Sequence, residues 1–391
     1  MTSRFLAGVV FMFSTLHLSA QEGGKIKESN AHIGFVYPLS TNWTDAINYK
    51  NRFSVHAIGG VSASEEAFCV SGMANVIRYN GNGLVASGFA NVILDRANGA
   101  QLAGSINFIK TEAKGLQAAG FANITGSSEG LQTAGFANIN TGNARGAQLG
   151  GFMNVAKSVD GFQCGGFMNI AKNVEGAQVG GFGNNAANVK GAQIGGFYNV
   201  AGIVNTQVAG FINVAKEVKG VQLSGFINIA DSCDFPIGLI NISRKGEMFL
   251  GATVDDNLTT LVTFRSGGKY LYGIVGVGAN FRYPTAVYAS EAGIGAHIPL
   301  AKGFRINTEI VSTSLSDFWS TVQVNSSFRL LAALKLGDRV ELFAGPSFHY
   351  SFANDRMYAE AGTNTLWSKE RWGYYQRMYI GGLAGMHIDL L

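Results

Sequence analysis

The chain has 391 residues, a formal net charge of +4, 14% charged residues and 53 glycines. The mild, unclustered positive charge gives no basis for nucleic-acid binding. No apolar run of eighteen residues follows the N-terminal segment, so no transmembrane helix is expected.

Residues 1–20 read as a secretory signal peptide: Arg4 is the charged start, Phe5 to Leu18 the apolar stretch, and Ser19-Ala20 the small-residue end. No cysteine follows, which argues against lipid anchoring. Two strand-like segments come next, His32–Leu39 and Arg52–Val61. They are expected to be the first strands of a β-barrel, within a unit at 21–62.

Residues 63–246 are expected to form a solenoid. Twelve copies of Gly-Phe-x-Asn and its variants place asparagines at Asn75, Asn91, Asn107, Asn123, Asn138, Asn154, Asn169, Asn184, Asn199, Asn213, Asn228 and Asn241, spaced 13 to 16 residues apart. A glutamine precedes the asparagine by six positions at Gln101, Gln117, Gln132, Gln148, Gln163, Gln178, Gln193, Gln207 and Gln222. A glycine stands two positions before most of these glutamines. A unit of about 15 residues is too short for a helical-hairpin repeat, and glycine disfavours helix interiors. Two short strands and two turns fit. Coils stacked at about 4.8 Å form a β-solenoid, and twelve of them would span roughly 58 Å.

Within each coil, three apolar rows are expected inside. They are the residue after asparagine (Val76, Val155, Ile170, Val200 and equivalents, with Asn185 the exception), the residue after glutamine (Leu102, Leu149, Val179, Ile194, Val208, Leu223) and the valines Val159, Val174, Val189 and Val218. The phenylalanines Phe89, Phe121, Phe136, Phe152, Phe167, Phe182, Phe197, Phe211 and Phe226 are also read as core, with a surface aromatic stripe as the alternative. The asparagine column is read as a structural ladder of stacked amides, with a row of ligand-binding amides as the alternative. The glutamine column (Gln132, Gln148, Gln163, Gln178, Gln193) is either a second ladder or an outward binding stripe.

From residue 247 the period changes to two. In Gly303–Val311, Phe304, Ile306, Thr308 and Ile310 share one face; Arg305, Asn307 and Glu309 share the other. The same alternation runs through Gln323–Leu336, Arg339–Tyr350 and Arg377–Leu390, and more weakly through Glu247–Val254, Leu258–Arg265, Lys269–Phe281 and Ala286–Ile298. Such strands suit an outer-membrane-type antiparallel barrel, apolar face to lipid and polar face to lumen. With the two early strands there are ten candidates, or eight without the pair at 247–265. The expected fold is therefore all-β: a short-coil solenoid inserted in an 8–10-stranded barrel. With the C-terminus in the periplasm, short turns fall on the periplasmic side, and so does the solenoid.

Motifs for chemistry are absent from the sequence: no phosphate-binding loop, no H-E-x-x-H, no paired C-x-x-C. Cys69, Cys164 and Cys233 read as small apolar residues. His56, His297, His349 and His387 fall on the expected lumen face with Glu291, Glu309 and Asp389, where solvated lumen residues are the default reading. Arg305, Arg329 and Arg377 are expected to pair with Glu291, Glu309 and Glu341 and close the interior. Asp160, Glu175 and Glu217 are too scattered to serve a polysaccharide-active enzyme.

At Gly-x-Gln-x-x-Gly-Phe-x-Asn, across roughly residues 30–391, the chain resembles an uncharacterised family of surface-repeat proteins from bacteria with two membranes. Those proteins also carry a repeat array followed by a barrel-like region. The resemblance implies surface exposure, whereas the strand count implies the periplasmic side. The β-roll heads of trimeric adhesins are a weaker likeness, since this chain lacks their heptad stalk. The expectation is an outer-membrane protein, seated in lipid, with a structural or binding role. Glycan, peptidoglycan or an envelope protein are the candidate partners, and neither cofactor nor catalysis is expected. The alternative is a channel with the solenoid as plug or extension.

Overall fold

A computed structural model describes residues 25–282, 287–319, 322–337, 339–354 and 364–391. The signal-peptide reading of residues 1–20 lies outside them. The chain divides into two compact units, Met1–Gly135 and Phe136–Leu391.

In the first unit every long strand pairs in parallel with the strand one coil away. Asn75, Asn91, Asn107 and Asn123 stand in one register column. The segments assigned above to the barrel belong to this stack. Lys27–Val36 pairs in parallel with Tyr49–Ser62, and Tyr49–Ser62 pairs in parallel with the strands Ser64–Ser71 and Ala74–Ile77. The solenoid is thus not inserted in the barrel; it precedes it. His32–Leu39 and Arg52–Val61 alternate as barrel strands do, and period-two alternation alone does not distinguish a coil wall from a barrel wall.

The second unit opens with coils of the same kind. Met153–Gly165 and Met168–Gly180 pair in register from Met153↔Met168 to Gly165↔Gly180. The inward positions are glutamine, the second glycine, asparagine, alanine and valine. Val159, Val174, Val189, Val204 and Val218 join Ala156, Ala171, Ala186, Ala201 and Ala215 in one buried strip. The valine row is therefore core, as expected.

The other three expected core rows are not. Val155, Ile170 and Val200, each following an asparagine, are half-exposed. Leu149 and Ile194, each following a glutamine, are 39% and 45% exposed. The phenylalanine column points outward, Phe152, Phe167 and Phe182 each at 37%. The reason is geometric. Successive side chains of a strand alternate between faces, so an inward asparagine or glutamine sends its neighbour out. A coil of about 15 residues also encloses a narrow interior that admits Val, Ala, Asn and Gln side chains in stacked rows, with phenyl rings left to the corners.

Glycine is required where the wall bends. Gly176 has φ +130°, and a Cβ there would lie 1.9 Å from the Gly161 carbonyl oxygen. Only glycine adopts such a backbone at no steric cost.

After the last coil strand, Ile240–Ser243, comes the barrel. Its strands are Glu247–Asp255, Thr259–Gly267, Leu271–Asn280, Val287–Ala301, Phe304–Ser316, Val322–Leu336, Val340–Ala353 and Tyr374–Asp389. Neighbours pair antiparallel, and Glu247–Asp255 closes the ring on Tyr374–Asp389, with Phe249 opposite Asp389. The eight strands include the doubtful pair near 247–265 and exclude the two early segments. Asn364–Arg371 adds a hairpin partner to the last strand. The count is even, so the chain enters and leaves the barrel at one end.

Candidate functional site

Two amide ladders fill the coils. Each asparagine Nδ2 donates to the Oδ1 of the next: Asn138→Asn154, Asn154→Asn169, Asn169→Asn184, Asn184→Asn199, Asn199→Asn213, Asn213→Asn228 and Asn228→Asn241, at 2.8–3.0 Å. In the first unit Asn75→Asn91→Asn107→Asn123 does the same at 2.9 Å. The second proton of each amide goes to a backbone carbonyl, as from Asn169 Nδ2 to Val179 O at 2.7 Å. All are buried. The column is the structural ladder expected for Asn91, Asn123, Asn138, Asn154, Asn169, Asn184, Asn199, Asn213 and Asn228.

The glutamines form a second ladder and not a binding stripe. Gln163 donates to Gln148 at 2.7 Å, Gln178 to Gln163 at 2.8 Å, Gln193 to Gln178 at 3.0 Å and Gln207 to Gln193 at 2.9 Å. Gln132 donates to Gln117. Gln132, Gln148, Gln163, Gln178 and Gln193 are at most 1% exposed, so none reaches a ligand outside the coil.

The accessible surface of the coils is made by their large apolar residues. Phe136, Phe152, Phe167, Phe182, Phe197 and Phe211 stack face to face with centroids 4.8–5.2 Å apart and rings within 8° of parallel. This is the coil spacing itself. The rows after glutamine and after asparagine flank the aromatic edge. Charge is confined to the opposite edge, where Lys157, Lys172, Lys190 and Lys216 alternate with Asp160, Glu175 and Glu217. Pairs there are exposed and loose: Lys190–Glu175 at 3.3 Å and Arg145–Asp160 at 3.6 Å. Such pairs contribute little to stability.

The barrel has the same inverted pattern. Outward are Val262, Val277, Ile294, Ile310, Phe328 and Leu342, each 43–67% exposed. The lumen is packed with buried charge. Arg265 Nε donates to Glu309 Oε1 at 2.9 Å, and Tyr272 OH donates to the same oxygen at 3.1 Å. Arg329 bridges Glu291 at 2.6 Å and Glu309 at 3.3 Å. Arg305 reaches Glu247 at 2.5 Å and Glu341 at 3.0 Å, and His387 Nε2 stands 3.1 Å from Glu341. The expected pairing of Arg305 and Arg329 with Glu291, Glu309 and Glu341 is present. Arg265 and Tyr272 carry little sequence signal: Thr259–Gly267 is one of the shorter barrel strands, and glycines interrupt the alternation of Leu271–Asn280. His297, His349 and His387 are in the lumen as expected, while Asp389 sits at the strand end and accepts from the Leu391 amide at 3.2 Å.

His56 does not join them. It lies in the first unit, in a buried polar cluster at the start of the stack. His56 Nε2 is 3.2 Å from His32 Nδ1, Asn51 Nδ2 donates to Glu65 Oε1 at 3.1 Å, and Ser54 Oγ donates to Glu65 Oε2 at 2.7 Å. Burial pushes the Glu65 carboxyl up to about 7, against the hydrogen bonds from Ser54 and Asn51. Burial, with the neighbouring His56, holds His32 down at about 4. No group of three or more metal-ligating side chains occurs among the described residues.

No protein-family model, curated protein or solved structure matches the chain.

Proposed function

We propose that this is an outer-membrane protein whose barrel anchors the coils in the cell envelope, and that its role is structural or binding. The observation that carries the reading is the barrel's inversion: an apolar outer band around a lumen closed by buried ion pairs. Hydrocarbon satisfies the first, and a filled eight-stranded interior fits an anchor better than a conduit. Exposed aromatics at one end of the barrel, Phe281, Tyr288, Phe318, Trp319 and Trp372, support it, since such residues favour the membrane–water boundary.

The coils join the barrel at the end where Gly267 leads to Leu271, Ala301 to Phe304 and Leu336 to Val340, and where the last strand ends at Asp389. At the other end Asn280 and Val287, Ser316 and Val322, and Ala353 and Tyr374 are separated by longer stretches of sequence, and Asp255 and Thr259 by a short turn. Short turns mark the periplasmic side in this class of barrel, so the coils are assigned to that side, where peptidoglycan, another glycan or an envelope protein are the available partners.

Planar-bilayer recording of the purified chain tests the anchor reading. Silence is expected. Open, ion-selective steps abolished by substitutions in the lumen would replace the anchor with a channel.

A further inference from the structure

We propose that the coils themselves lie in the bilayer surface. Their apolar walls and phenylalanine edge would sit among the acyl chains of one leaflet, and their charged edge in water. This rests on the anchoring reading above and adds a second lipid-contacting element to it.

Three observations lead there. First, the distribution of side chains is the reverse of a water-soluble solenoid's. Two amide ladders share the interior with a thin Val/Ala strip, and the large side chains Phe, Ile and Leu cover the aromatic edge and the walls beside it. Monomeric soluble proteins do not leave continuous apolar faces of this kind uncovered. Second, the coils meet the demand that hydrocarbon makes on a backbone. Their N–H and C=O groups pair from coil to coil, and the buried asparagine amides pair along the ladder. Third, the apolar surface is continuous with the barrel's outer band. The last coil packs on that band: Phe235 stacks on Tyr270 at 5.9 Å, and Pro236 and Ile237 line an apolar recess with Leu271, Ile294 and Ile310. Asn241 N donates to Ser266 Oγ on the barrel's outer face at 2.9 Å, tying the ladder's end to the wall. If the band is in lipid, the coils that start on it begin in lipid.

The charge pattern selects the orientation. Lys172 and Lys190 lie on the edge away from the phenylalanines. A rod with one charged edge and apolar remaining faces is the β counterpart of an interfacial amphipathic helix, which lies in the membrane plane.

The test uses the full chain in phosphatidylethanolamine–phosphatidylglycerol vesicles, with lipids brominated in mid-chain. Cys164 is replaced by alanine; Cys69 and Cys233 are buried and stay. An environment-sensitive fluorophore is then attached at Leu149→Cys or Ile194→Cys on the coil wall, at Lys172→Cys on the charged edge, or at Ile310→Cys on the barrel band. Brominated lipid is expected to quench the Leu149 and Ile194 labels as it does the Ile310 label, about twofold, and to spare the Lys172 label. Aqueous iodide should do the opposite. The wild-type chain labelled at Cys164, which stands in the same column as Leu149, repeats the wall measurement without a new cysteine.

Wall labels quenched by iodide and not by lipid, beside a lipid-quenched Ile310 label, would overturn the proposal and leave the anchor intact. Wall labels shielded from both quenchers would mean that a second copy covers the walls, which also overturns it. An Ile310 label insensitive to brominated lipid would remove the anchoring reading and this proposal together.

Discussion

Replacing Asn169 with alanine should loosen the coils around it severely, and the size of the effect can be worked from the ladder. Asn169 is fully buried and makes three side-chain hydrogen bonds. It accepts from Asn154 Nδ2 at 2.9 Å, donates to Asn184 Oδ1 at 2.9 Å and donates to Val179 O at 2.7 Å. At about 1 kcal/mol net for each neutral bond, the loss is about 3 kcal/mol. Stability in a stacked array is set by nearest neighbours, so the effect should centre on the coils at 153–195. Native-state hydrogen exchange of the detergent-solubilised chain, read on peptides from that span, should show amides exchanging roughly 100-fold faster. Asn173→Ala is the control. Its side chain is on the exposed edge and accepts one bond, from Asn188 at 3.0 Å, so a change within ±0.5 kcal/mol is expected. Equal exchange in the two variants would show that the buried amides carry no load, and the ladder account would be wrong.

Gln178→Ala should cost about 2 kcal/mol by the same assay, because it removes the bonds to Gln163 and from Gln193; a binding residue would leave exchange unchanged. Gly176→Ala should destabilise its coil by at least about 1–3 kcal/mol, given the positive φ and the close Gly161 carbonyl; normal expression and exchange would refute the need for glycine there. Arg329→Met should lower barrel stability by about 3–5 kcal/mol, since Glu291 would be left buried without its cation and Glu309 with Arg265 alone. Heat-induced loss of the compact band on gels would measure it. The pH dependence of the first unit carries a signed prediction. Folded Glu65, raised to about 7, holds its proton more tightly than the unfolded chain does. Its contribution is therefore fully present below the unfolded value and lost as pH rises toward 7. Glu65→Gln stays neutral throughout, so its stability relative to wild type should rise between pH 5 and 8 by up to about 3 kcal/mol. A flat difference in exchange over residues 49–71 would contradict this.

Much of the architecture is legible in the sequence, because two periods are written openly in it. The 13-to-16-residue spacing of asparagines announces coils, and the alternation around Arg305, Asn307 and Glu309 announces a barrel with a charged interior. The orientation of side chains within a coil is less legible. Asn169 and Ile170 are adjacent on a strand, so both cannot point inward; once the asparagine is a ladder, the isoleucine must face out. The size and apolarity of phenylalanine suggest an inward position, whereas strand parity and the narrow interior turn the column outward and create the coils' apolar surface. The assignment of Arg52–Val61 to the barrel failed for a related reason. Its inward polar residues, Ser54 and His56, alternate just as lumen residues do, and only the parallel pairing with Lys27–Val36 distinguishes them. The cluster of His32, Asn51 and Glu65 left no sequence signal, since its members come from three different strands.

The most direct test of the envelope assignment is a protease site inserted near Asn173, on the exposed edge of the coils, in intact cells and again after the outer membrane is opened. Protection in intact cells followed by cleavage after opening is the predicted result, with the coils on the periplasmic side of a membrane-seated barrel. Cleavage in intact cells would put the coils outside and contradict the account's sidedness. A tagged chain found wholly in the soluble fraction would contradict the anchor itself.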